Sequence, residues 1–121
     1  MYYGIIEAEA LNNKDILKKF NIIKSYKEKH LDENPPIWTI NKVKFNEESL
    51  IEKLPKFMLK GWYSLLWNND FVYVIFKNKI FKIQNAKPWK KEEFNKVVSY
   101  ALSVGINKKY FDNLRKSIEM W

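Results

Sequence analysis

His30 is the only histidine in the chain. An imidazole can act as a base near neutral pH, provided that a partner orients it and a pocket receives the substrate. It lies in KEKHLDE, with Glu28, Asp32 and Glu33 close by. The plainer expectation is a solvated histidine at a helix C-terminus, where positive charge is mildly favoured. Glu7 and Glu9 form a second candidate. In a strand, an i,i+2 spacing puts both carboxylates on one face, where they can hold a divalent cation or raise each other's pKa. Away from a cleft, they are simply acids that pair with lysines. One histidine and no cysteine predict no metal site and no cofactor. No phosphate loop, dinucleotide fingerprint or HExxH motif occurs. No catalytic residue is therefore assigned, and an enzyme built around His30 or Glu7 and Glu9 is only the second alternative for function.

The other chemistry on offer is charge and aromatic surface. The formal net charge of +8 comes from 21 Lys and the single Arg115 against 14 acids. Residues 1–52 carry a net −1 and residues 92–121 a net +1, so the excess lies in residues 53–91, where nine Lys face only Asp70. Charge gathered in this way can steer a polyanion. The dominance of Lys over Arg, beside 13 Asn and 13 Ile, points instead to genome composition, because base reading favours the guanidinium fork. The contact candidates for a polyanion or protein partner are Lys77, Lys79, Lys82, Lys87, Trp89, Lys90 and Lys91. Trp62, Tyr63 and Trp67 beside Phe71 and Tyr73 can either stack bases or complete a core.

The elements that must position these residues follow from periodicity. YYGIIEAEA (2–10) alternates like a strand. NNKDILKKFNIIKSYKEKH spaces Ile16, Phe20, Ile23 and Tyr26 like a helix capped by Asn13, and DENPP at 32–36 ends it. IWTINKVKF (37–45) is β-branched and predicts a strand; NEESLIEKLPKFM predicts a helix interrupted at Pro55. Strands are expected at 62–67, 71–76 and 79–83, joined by NND and by a tight turn at Asn78. FVYVIF is apolar on both faces, which requires water to be kept from both sides. Two helices follow, one bearing Phe94, Val97, Val98, Ala101 and Leu102 and stopped by Gly105, the other capped by Asn107 and bearing Phe111, Leu114, Ile118 and Trp121.

The 121 residues are thus expected to form one α+β domain, 1–121, in the order β-α-β-α-β-β-β-α-α. The expected fold is a largely antiparallel sheet with a C-terminal strand meander and helices packed on one face. No apolar run is long enough to span a bilayer, and the first ten residues lack a signal-peptide pattern; with no cysteine, this predicts a cytoplasmic protein with no membrane partner.

PPIWTINKVKF (35–45), KGWYSLLWNNDFVYVIFKNKIFKI (60–83) and SYALSVGI (99–106) together resemble a family of small uncharacterised prokaryotic proteins. That resemblance implies one compact domain and carries no activity or site residues with it. The function expected from the sequence is a small non-enzymatic interaction or accessory domain, meeting another protein or a second copy of itself. The first alternative is a nucleic-acid-associated domain using the lysine-rich segment 53–91.

Overall fold

FVYVIF and its neighbours set the architecture. In the computed structural model, which describes residues 1–112 and 114–121, Phe71–Phe76 forms a strand, β5, flanked by β4 (Ser64–Trp67) and β6 (Lys79–Gln84). The remaining strands are β1 (Tyr2–Glu7), β2 (Asn21–Lys29) and β3 (Ile37–Phe45). All pairings are antiparallel, and the six strands lie in the order β2-β3-β1-β4-β5-β6. Short turns make this pairing cheap for β4–β6. Asn68 accepts hydrogen bonds from the backbone of Asp70 and Phe71, and Asn78 takes the left-handed φ of +56° that the β5–β6 turn needs.

Both faces of β5 are dry. Tyr73 and Ile75 join a core with Ile6, Val43 and Leu66, closed by the short helix α1 (Ser49–Lys53) and by 3₁₀ turns at Ala8–Ala10, Lys14–Lys19 and Leu54–Phe57. Val72, Val74 and Phe76 join the opposite core with Leu65, Trp67 and Ile83, under the helices α2 (Lys91–Ser103) and α3 (Leu114–Glu119). Alternate residues of one strand therefore feed two cores, and neither face can be polar.

Two expectations need correction. The chain does not end in a strand meander: the meander β4–β6 stops at Gln84, and the C-terminal part is helical, comprising α2, a 3₁₀ turn at Lys108–Tyr110 and α3. The amphipathic run after Pro88 accounts for this, because its apolar stripe fits a helix lying on the sheet. The helix expected from Asn13 to His30 is also absent. Asn13 does cap, accepting from the Asp15 N–H, but it opens only the turn Lys14–Lys19, after which residues 21–29 run as edge strand β2. Ile16 and Phe20 are core residues, whereas Ile23 is 48% exposed and Tyr26 pairs with Ile40 of β3. The apparent stripe was split between a turn and a strand, and pairing with β3 overrode the local preference.

Candidate functional site

The apolar cover over the α2 side of the sheet is thickest above β4–β6. Nearer β2, β3 and β1, the sheet instead forms the floor of a cleft overhung by residues 106–110 and 114–120. Register determines what stands on that floor. Tyr26 faces Ile40, and Ile40 faces Glu7 at the end of β1; one step away, Glu28 faces Trp38. The β1–β4 pairing brings the segment preceding β4, with Trp62 and Tyr63, alongside Glu7. Gly61 and Gly105, with φ of +87° and +86°, turn the chain into the cleft wall where an L side chain would be strained. Gly105 ends α2, and Ile106 donates back to the Ala101 carbonyl at 3.0 Å.

The roof is latched to the floor across a long stretch of sequence. The Tyr110 hydroxyl donates to Glu33 Oε1 at 2.7 Å, and Lys109 pairs with Asp32. The Tyr63 hydroxyl donates to the Tyr110 carbonyl at 3.2 Å. Burial and the carboxylate of Glu33 push the Tyr110 phenol up, so it remains a hydrogen-bond donor at neutral pH. Two chambers result, of about 320 Å³ and 630 Å³, and Glu7, Trp38, Tyr63 and Tyr110 line both. The larger also holds Glu28, His30, Lys42 and Lys109.

Glu7 is the central group. The residue as a whole is partly exposed, yet its Oε2 is shut from solvent and, among the described residues, has no hydrogen-bond partner. Burial pushes its pKa up to about 8, and the like charges of Glu28 and Glu9 add to this, outweighing its own backbone N–H. A carboxyl that titrates near neutrality can give or take a proton. His30 has the orienting partner that a base requires: Nε2 lies 3.0 Å from Glu28 Oε1, and the ring stacks on Trp38 at 3.6 Å. It stands at the end of β2, not at a helix C-terminus, because the chain there is a strand.

The expected Glu7–Glu9 pair does not form. β1 ends at Glu7, and Glu9 lies in the following 3₁₀ turn, where it accepts from the backbone N–H and hydroxyl of Thr39. Burial tends to raise the Glu9 pKa, but these hydrogen bonds and Lys14 bring it below the usual range. Among the described residues, no group of three or more His, Cys, Asp or Glu side chains is placed to hold a metal.

The lysine candidates lie elsewhere. Lys77, Lys79, Lys82, Lys87, Lys90 and Lys91 are exposed and line neither cleft chamber. Along β6, Lys79 and Lys82 point to opposite faces, since they face Phe76 and Tyr73 of β5. Those two therefore belong to different faces. Trp89 packs on the α2-side core, with its ring 5.5 Å from Phe94 and the Arg115 guanidinium 5.4 Å from the indole. The aromatic group at 62–73 is likewise divided. Trp62 and Tyr63 line the cleft, while Trp67 and Tyr73 are buried on opposite faces.

Sequence reasoning named Glu7 and, beside His30, both Glu28 and Glu33, but missed Trp38 and Tyr110 as cleft residues. Glu33 and Tyr110 are 77 positions apart, and no local pattern links them. Comparison with protein-family models, curated proteins and solved structures finds no match for the chain. Among the described residues, no helix is long and apolar enough to cross a membrane.

Proposed function

We propose that this domain binds a small molecule in the cleft beneath residues 106–110 and 114–120, and that the cleft is equipped for proton transfer. The observation that carries this reading is the unpartnered, solvent-shielded Oε2 of Glu7 at the junction of two chambers. An orphaned buried polar atom is costly in a fold unless it has a task. Protonated Glu7 is the general acid, and His30, held by Glu28 and Trp38, is the complementary base. The combination of aromatic walls with a few convergent polar groups is the usual make-up of a ligand site, and both chambers fall in or near the usual range of about 300–1,000 Å³. A cysteine-free chain suits a cytoplasmic setting.

The reading as a protein-interaction domain has one surface in its favour, the outer edge of β2 with exposed Ile22 and Ile23. Lys24, Lys27 and Lys29 on that strand are of the kind that discourages edge-to-edge pairing. Of the lysines a polyanion could meet, Lys79 and Lys82 on β6 are directed to opposite faces.

Screening a small-molecule fragment library by ¹H–¹⁵N NMR tests the cleft. The expected hits shift the indole signals of Trp38 and Trp62 and the backbone around Glu7 and Tyr110. Hits confined to the β6 lysines, or to the β2 edge, would contradict the assignment.

A further inference from the structure

The smaller chamber differs in character from the rest of the molecule. In a chain with 22 Lys and Arg, no lysine or arginine lines it. Its walls instead carry four aromatic rings, those of Trp38, Trp62, Tyr63 and Tyr110, and two carboxyl groups, Glu7 and Glu33. The rings are set at angles to one another. Trp38 and Trp62 are 4.9 Å apart at 60°, and Trp38 and Tyr110 are 5.5 Å apart at 44°. In contact with one another, these rings make one continuous aromatic wall, and aromatic surface attracts positive charge; one face of Trp38 is taken by His30, and Lys109 Nζ stands 5.1 Å from the Tyr110 ring.

Hydrogen bonds fix three of the rings in place. Trp38 Nε1 donates to the Pro35 carbonyl at 2.9 Å, and the Tyr63 and Tyr110 hydroxyls are engaged with the Tyr110 carbonyl and with Glu33. The donors of Trp38, Tyr63 and Tyr110 are thus committed elsewhere, leaving ring surface as the main chemistry these three offer. Glu33 is held by Tyr110, whereas Glu7 Oε2 has no partner.

We propose that the smaller chamber is an aromatic cage for an alkylammonium ligand, whose N–H groups donate to Glu7 Oε2 while the rings and Glu33 surround its charge. This rests on the ligand-binding reading of the cleft and gives it a ligand class; in that complex Glu7 is a carboxylate, and the proton it held is released to solvent on binding. Burial and the like charges of Glu28 and Glu9 are what destabilise ionised Glu7, and an ammonium group supplies a countercharge of the opposite sign. Neutral or anionic ligands of the same size gain neither the cation–π term nor the ion pair.

Isothermal titration with n-butylammonium, 1-butanol and butyrate, three probes of nearly equal size, tests the proposal on the full chain. The expected result is n-butylammonium binding at least about tenfold more tightly than either of the others. Trp62→Leu and Glu33→Gln, both at partly exposed positions, should each weaken it several-fold while leaving the ¹H–¹⁵N spectrum folded. Equal or tighter binding of 1-butanol or butyrate would overturn the cation assignment. So would n-butylammonium binding that is unaffected by both substitutions, or the absence of any n-butylammonium binding. Neutral fragments that map to the cleft while n-butylammonium shows no preference would sink the cage and leave the ligand site standing. Fragments that avoid the cleft altogether would remove both.

Discussion

As pH rises from about 4.5 to about 8, the domain loses roughly 3 to 6 kcal/mol of folding stability through Glu7 alone, and Glu7→Gln abolishes that contribution. The sign follows from proton counts. Below the ordinary carboxyl value, Glu7 is protonated in both folded and unfolded chains, and it has no effect on the pH dependence. Between the unfolded value and about 8, the unfolded chain has released this proton and the folded chain retains it. Unfolding then releases a proton, so stability falls by about 1.4 kcal/mol per pH unit and levels off above the folded value. Glu9 and Asp32 act in the opposite sense, because hydrogen bonds hold their carboxyls below the usual range; their stabilisation is lost only as pH falls through the acidic region. The comparison that isolates Glu7 is therefore the difference between wild type and Glu7→Gln in urea melts at several pH values. Glutamine keeps the size and a donor–acceptor head but cannot ionise. A difference that is flat from pH 5 to pH 8 would show that Glu7 is hydrated.

Phe76→Ala is expected to cost about 3 to 5 kcal/mol, a large fraction of the roughly 5 to 15 kcal/mol that holds a domain of this size together. The Phe76 side chain is 2% exposed and packs against the rings of Tyr100 at 4.9 Å, Phe81 at 5.9 Å and Tyr63 at 6.3 Å. Removing the ring forfeits its transfer free energy and leaves a cavity that fixed helices and strands cannot readily close. The neighbouring substitution Ile75→Ala gives the comparison. Ile75 points into the opposite core, so it should also cost about 2 to 5 kcal/mol. A strand with one wet face would show one large loss and one near zero. Urea midpoints with unchanged m-values measure both. Tyr63, which lines both chambers, rests on Phe76 and on Phe111 at 4.8 Å, so the α2-side core also props the cleft.

What could be read from the sequence depended on how local the determining interaction is. FVYVIF shows its double burial directly, because apolar residues at both parities leave no face for water. The hairpin at Asn78 and the helix α2 stopped by Gly105 are likewise local signals, and the structure keeps them, although Leu102 of the expected stripe is 50% exposed. NIIKSYKEK was misread because β2 is largely exposed on both faces and so shows no alternation; its strand state comes from pairing with β3. The Glu7–Glu9 spacing misled for another reason: one residue past Glu7 the backbone leaves the strand, which breaks the period on which a shared face depends. In the cleft, His30 and Glu28 are two residues apart and could be seen together. The partnership of Glu33 with Tyr110, and the convergence of Trp38 with Trp62, are products of topology.

The account rests on Glu7 being a dry carboxyl that opens into an aromatic cleft. Selective ¹³C labelling of glutamate, with the Glu7 side-chain carboxyl assigned by its loss in Glu7→Gln, reports its titration directly. The predicted midpoint is near 8. A midpoint in the ordinary carboxylate range, about 4.3, would place that oxygen in water and contradict the site.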